Sequence, residues 1–332
     1  MTHHARYKIW VQFLLIALIL GGLTYTAAAQ DDMGESHKAL IRQVYEEAFN
    51  GGDFAVIDAN YAADYVNHGL GDDVDVEGFK AYIEELRAAL PDFAATIEVL
   101  IAEGEWAATR VAYSGTFENE WVFEGEVIPP TGEPVEWTLN ILHHFNEQGQ
   151  LAEDFTAFDQ LGLLIQMDAS PLPNLITDLL EREVVHAAME ETVSEGLAET
   201  QAAAFRHVID DAINNGDLTA IDTYMAEDYQ LHEPLGDYNR QQFRDIIEGF
   251  RTIVPDLHVD IDALVIEGDW LASRLIYTGT FTEDVDAGVI FVEATNAPIR
   301  FIINVFVRFD TLGVPVEDFK EYNLYQSCKR ES

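Results

Sequence analysis

Apolar residues recur at helical spacing near the front of the chain, then switch to alternation, and the whole succession is repeated once. Leu40, Ile41, Val44, Tyr45 and Phe49 return at three- and four-residue intervals across 36–50, which predicts an amphipathic helix stopped by Gly51-Gly52. Residues 53–61 read as a second, short helix and 76–90 as a third, closed by Pro91. Alternation then predicts strands over 94–103, 106–116, 136–146 and 151–158, the last two joined by a turn at Glu147-Gln148-Gly149-Gln150. Helices followed by antiparallel strands, each with one apolar face, predict an α+β layer in which helices cover one side of a curved sheet.

A shift of 164 residues lays the second half on the first without a gap. Asn50-Gly51-Gly52-Asp53 meets Asn214-Asn215-Gly216-Asp217, and Asp64-Tyr65 meets Asp228-Tyr229. His68 meets His232, Pro91-Asp92 meets Pro255-Asp256, and Trp106 meets Trp270. Arg110 meets Arg274, Asn140 meets Asn304, and Glu153-Asp154-Phe155 meets Glu317-Asp318-Phe319. A register sustained over that length identifies a tandem duplication. Duplication retains core residues as readily as site residues, so the pairing alone assigns no chemistry.

Composition and charge narrow the functional classes. Nearly half of the 332 residues are apolar, enough for two cores. The formal charge of −42, from 60 acidic against 18 basic residues, repels phosphate backbones and anionic lipid, which argues against nucleic-acid binding. Arg6 and Lys8 precede an apolar run of about fifteen residues, and Ala27-Ala28-Ala29 offers small residues for cleavage. The run is short of the roughly 20 residues a spanning helix needs. Residues 1–29 are therefore expected to be a signal peptide, with an uncleaved anchor as the alternative, and both place the protein outside the cytoplasm. No stable membrane insertion is expected after cleavage. The one cysteine, Cys328, leaves no internal disulfide. Residues 168–199, with Pro171, Pro173 and an amphipathic stretch around 175–189, read as a helical linker.

The motifs Asp64-Tyr65-Val66-Asn67-His68, Pro91-Asp92, Gly115-Thr116, Pro130-Thr131-Gly132 and Glu153-Asp154-Phe155 stand in an order specific as a set. So does the closing Phe158-Asp159 and Gly162-Leu163-Leu164-Ile165-Gln166. On these residues the chain from Lys38 to Met167 resembles the SnoaL-like polyketide cyclase (ester cyclase) branch of the nuclear-transport-factor-2-like superfamily. The second copy, Ala202 to Cys328, is similar but has lost the Pro-Thr-Gly and Leu-Leu-x-Gln signatures. The resemblance implies two tandem cone-shaped barrels, at 34–167 and 200–328, each with an apolar pocket for a hydrophobic small molecule and no metal or organic cofactor. It also implies sheet-to-sheet pairing, here as a pseudo-dimer within one chain. In the family an aspartate just after the aromatic of the last strand moves the proton, aided by a histidine on the strand before. Here Thr156 and Lys320 occupy the aspartate position, and Ile141 and Val305 the histidine position.

Alternation supplies a substitute in the first copy. Residues two apart on a strand share a face, so Asp154 accompanies Thr156, while Trp137, Leu139, Ile141 and His143 line one face of the neighbouring strand. A carboxylate beside a histidine in an apolar cup can act as base and acid, so Asp154 and His143 are the candidate catalytic pair. Tyr65, His68, Trp137, Ile141 and Thr156, with His232 and Asp318 in the second copy, are the candidate ligand-binding residues. Arg110 and Arg274, cations in mid-strand, are expected in ion pairs, and Trp106 and Trp270 in the core. His144 faces opposite to His143. Three classes stay open: a cofactor-free cyclase, isomerase or hydrolase, a non-catalytic extracytoplasmic binding module, and an assembly role.

Overall fold

The computed structural model describes residues 33–69, 73–123, 126–169, 196–286, 291–292 and 294–322. The expected signal peptide, the 175–189 stretch and Cys328 lie outside these residues.

In the first copy, helix α1 covers 33–43 and continues as a π-helical segment, Val44–Asn50. The wider turn buries Val44, Tyr45, Ala48 and Phe49, pairs spaced four apart. Gly52 (φ +74°) then turns the chain, and Arg87 caps the helix by donating to the carbonyls of Phe49 and Asn50, each at 2.7 Å. Short α2 (Ala55–Asn60) runs into strand β1 (Tyr61–His68), and α3 (Val76–Ala89) is N-capped by the side chain of Asp75. Strands β2 (Ala94–Glu103), β3 (Trp106–Thr116), the small hairpin β4 (Trp121–Phe123) and β5 (Glu126–Ile128), β6 (Pro134–Phe145) and β7 (Leu151–Phe158) follow, closed by α4 (Gln160–Gln166).

The sheet order is β1-β7-β6-β3-β2. The four expected strands form within a residue or two of their predicted limits. The sequence pattern misses β1, which pairs parallel to β7 with Asn67 opposite Asp154. That pairing joins residues almost 90 apart and breaks the expected all-antiparallel sheet. Local periodicity cannot encode it.

The second copy repeats the plan. Helix α5 (Leu197–His207) continues into a π-helical segment, Val208–Asn214, followed by α6 (Thr219–Tyr224), β8 (Gln230–Glu233), β9 (Gly236–Asn239) and α7 (Arg240–Ile253). Strands β10 (His258–Glu267), β11 (Trp270–Thr280), β12 (Val285–Asp286), β13 (Phe291–Val292), β14 (Pro298–Phe309) and β15 (Pro315–Glu321) complete it. Its sheet order is β10-β11-β14-β15-β8-β9.

Each sheet presents one face to its own helices and the other to the opposite sheet. Val99, Ile101, Ala108 and Leu142 of the first sheet form one apolar cluster with Ala263, Val265, Trp270, Ala272, Phe306 and Phe319 of the second. The polar contacts across this seam are reciprocal. Asn140 Nδ2 donates to the carbonyls of Asn304 (3.2 Å) and Phe319 (2.8 Å), while Asn304 Nδ2 donates to those of Asn140 (2.9 Å) and Phe155 (2.8 Å). Ala102 N donates to Glu267 and Ile266 N to Glu103. Arg110 lies over the Phe319 ring and Arg274 over Phe155. As expected, both arginines are ion-paired: Arg110 Nε lies 3.1 Å from Glu98, with Glu321 at 3.4 Å from Nη1, and Arg274 meets Asp262. Glu98 and Asp262 each sit at a strand irregularity that turns the acid toward its arginine.

Candidate active site in the first cup

The cup of the first copy lies between α1, α3 and the concave face of the sheet. Its wall is apolar and aromatic, with Ile41, Val44, Phe49, Phe79, Leu139 and Ile141 among the lining residues. Tyr45, Tyr61, Tyr82 and Tyr113 add phenols, and the polar floor is made by Asn67, His143, Asp154 and Thr156. The free space is about 20 Å³, room for a water molecule.

Strand register assembles this floor. His143 on β6 stands opposite Asp154 on β7, and Ile141 opposite Thr156. His143 Nδ1 lies 2.6 Å from Asp154 Oδ1, with both side chains almost wholly buried. Tyr65, delivered by β1, donates from Oη to Asp154 Oδ2 at 2.8 Å. A carboxylate can only accept, so His143 donates to Asp154 from Nδ1–H, and its Nε2 lies 2.9 Å from the Thr109 hydroxyl. Asn67 Nδ2 donates to Tyr65 Oη (3.4 Å) and to Thr156 Oγ1 (3.2 Å). Burial pushes the Tyr61 and Tyr65 phenols well above their usual range, and the neighbouring Asp154 charge pushes them further. Both stay protonated, and Tyr65 acts as a donor.

The structure thus brings Asp154, His143, Tyr65, Thr156 and Ile141 together. Trp137 does not line the cup. It lies further along β6, packed edge-on against Tyr113 at 5.4 Å between centroids, because two pleats separate it from Ile141. His68 also stands apart. On β1 the inward residues are Tyr65 and Asn67, so His68 faces the other side, where it stacks on Phe155 at 4.9 Å and pairs with Asp73 at 2.8 Å. Sequence reasoning gave no site role to Asn67, Thr109 or the lining tyrosines. Tyr113 is legible only as an inward strand position, and Tyr45 only as part of a helical stripe.

The second cup differs at the floor. Asp318 stands opposite Val307, where the first copy has His143. Burial pushes its carboxyl up to about 6, opposed by the nearby Lys320 ammonium and Tyr229 hydroxyl. Asp318 and Lys320 both line this cup. His232 again faces outward, stacked on Phe319 at 4.8 Å between Asp237 (2.8 Å) and Glu317 (3.1 Å). Among the described residues no group of three or more His, Cys, Asp or Glu is placed to hold a metal ion, and no helix is long and apolar enough to cross a membrane.

An α+β cone with a polar floor under an aromatic cup, built twice, defines a small-molecule-binding or cyclase-type protein. The chain belongs to the SnoaL-like polyketide cyclase family, whose model matches residues 39–167 and 203–317, well over half its length. Among solved structures it is similar to AclR, a candidate hydroxylase from Streptomyces galilaeus (25% identity, covering 41% of this chain and 98% of that one, TM-score 0.36). It is also similar to IdmH, a candidate polyketide cyclase from Streptomyces antibioticus (30% identity, 40% and 98% covered, TM-score 0.34). A SnoaL-like polyketide cyclase from Agrobacterium tumefaciens is similar at 17% identity (40% and 91% covered, TM-score 0.30). No curated protein matches the chain.

Proposed function

We propose that this is an exported protein whose first domain holds a hydrophobic small molecule and moves protons on it with Asp154 and His143. The observation that carries the reading is the grip on Asp154: His143 at 2.6 Å and Tyr65 at 2.8 Å fix both carboxylate oxygens at the floor of an aromatic cup. In this reading Asp154 takes a proton from the bound molecule and returns it. His143, held in one tautomer by Thr109, spreads the charge, and the Tyr65 hydroxyl steadies the ionised form. The cyclase-type chemistry of the family is compatible with this placement, one pleat from Thr156.

The competing reading is a binding module without catalysis. It is favoured by the closure of the network, since both Asp154 oxygens and both His143 nitrogens already have protein partners. Screening hydrophobic carbonyl compounds for turnover by the full chain, then comparing Asp154→Asn, separates the two. Catalysis requires a loss of about a hundredfold or more with the melting temperature almost unchanged. Binding of a compound by both proteins with turnover by neither selects the module.

The reciprocal contacts of Asn140 and Asn304 support reading the two domains, 34–167 and 200–328, as a pseudo-dimer within the chain. Small-angle scattering from the mature protein tests this, and an extended two-bead profile contradicts it. Mass spectrometry of exported material tests cleavage after Ala29.

A further inference from the structure

The polar groups of the second cup are not closed on one another as they are in the first. Lys320 occupies the position of Thr156, and its side chain is buried, with 7% of the residue exposed. Its Nζ lies 4.5 Å from the centroid of the Phe243 ring, and the nearby Asp318 carboxyl attracts it without forming a hydrogen-bonded ion pair. Asp318, two residues back on the same face, has the Tyr229 hydroxyl beside its carboxyl, but the pair lacks good hydrogen-bond geometry, and Oδ1 and the hydroxyl both stay buried without a well-formed bond among the described residues.

Magnitudes show what is missing. A desolvated cation–π contact is worth about 2 kcal/mol. Taking an ammonium out of water costs several kcal/mol, and its three N–H groups each seek an acceptor. The ring therefore offsets only part of the cost. Apart from Tyr277 the remaining lining is apolar, with Phe205, Val208, Ile213, Met225, Leu275 and Val305. Free space is about 20 Å³, but Met225 is an unbranched side chain that can swing aside for a small ring.

We propose that the second cup binds a small apolar molecule carrying a carboxylate, its oxygens on Lys320 Nζ and its body among the Phe205, Met225 and Leu275 side chains. Among the described residues no lysine or arginine lines the first cup, so the two cups differ in the charge of the ligand they accept. The overall charge of −42 opposes anions at long range. At about 0.15 M salt the screening length is about 8 Å, which leaves the local ammonium in control.

Calorimetric titration of the full chain with sodium benzoate and with benzyl alcohol, at about pH 6 and about 0.15 M salt, tests this. Benzoate is expected to bind at least about tenfold more tightly than the alcohol. Lys320→Met, which keeps the contact with Phe243, is expected to remove that preference while leaving benzyl alcohol within about twofold. Asp318→Asn, which removes the competing negative charge, is expected to tighten benzoate severalfold. A general loss of folding would weaken every ligand in both variants, so the opposite signs distinguish the mechanism. Benzoate binding that is absent, no tighter than that of the alcohol, or unchanged by Lys320→Met overturns the proposal. Should Lys320→Met fail to fold, Asp318→Asn decides alone, and an unchanged or weaker benzoate affinity overturns it.

Discussion

Asp318 gives a pH dependence whose sign and size follow from its burial. Its carboxyl is held near 6 in the folded protein against 3.8 in a solvated chain. Lys320 and Tyr229 share its face, and His232 and Glu317 act on it from the other side of the strand. Lys320, Tyr229 and His232 oppose the rise, but together they fall short of the cost of burial. The folded state therefore holds a proton that the unfolded state has released between these two pH values. A raised folded pKa contributes stability that is fully present below about pH 4 and is lost as pH rises through about 6. About two pKa units correspond to about 3 kcal/mol, and the group is deep enough that no discount for solvent screening applies. Urea unfolding of wild type and Asp318→Asn at pH values from about 4 to about 7.5 isolates this group from the many surface carboxylates, which both proteins share. Wild type is expected to lose about 3 kcal/mol relative to the variant across that range, with the change centred between pH 4 and 6. Parallel curves, or a gap that opens in the opposite direction, refute the reasoning.

Arg110→Met leaves Glu98 and Glu321 buried without their guanidinium, and is expected to cost about 3–5 kcal/mol in urea unfolding. Adding Glu321→Gln is expected to recover part of that loss, and a single-variant cost below about 1 kcal/mol would show the ion pairs to be bystanders. Asn140→Ala strips hydrogen bonds from the carbonyls of Asn304 and Phe319 on the other sheet, so a loss of about 2–4 kcal/mol is expected. Asn304→Ala should cost a similar amount by the reciprocal contacts, and a variant that unfolds like wild type argues against a shared seam.

The Asp154–His143 pair was legible before any coordinates because a short hairpin fixes register, and register with alternation fixes facing. Helices α1, α2 and α3 and the four long strands were legible from period alone. What escaped was α4, the small β4–β5 hairpin and everything that depends on β1. Its segment, Tyr61-Ala62-Ala63-Asp64-Tyr65-Val66-Asn67-His68, alternates poorly and acquires strand geometry by lying parallel to β7 at a sheet edge. Without that strand Tyr65 has no direction, and the outward turn of His68 and His232 cannot be inferred. The state of Asp318 was hidden for a different reason. In a chain this acidic, a Glu-Asp pair looks like solvated surface, and only the fold, which half-buries Glu317 and buries Asp318, separates the two carboxylates. Trp137 was on the right face but too far along it, a displacement in depth that a period of two does not report.

The reciprocal bonding of Asn140 and Asn304 has a consequence for how the two halves can change. Where two identical chains pair, every substitution is made twice, so a histidine lost from one site is lost from both. In the proposed pseudo-dimer the partners are stretches of one polypeptide, held together at a local concentration that dilution cannot lower. Val307 and Lys320 can stand in one half where His143 and Thr156 stand in the other. The seam holds the halves alike at their backs, and the cups behind it are free to specialise.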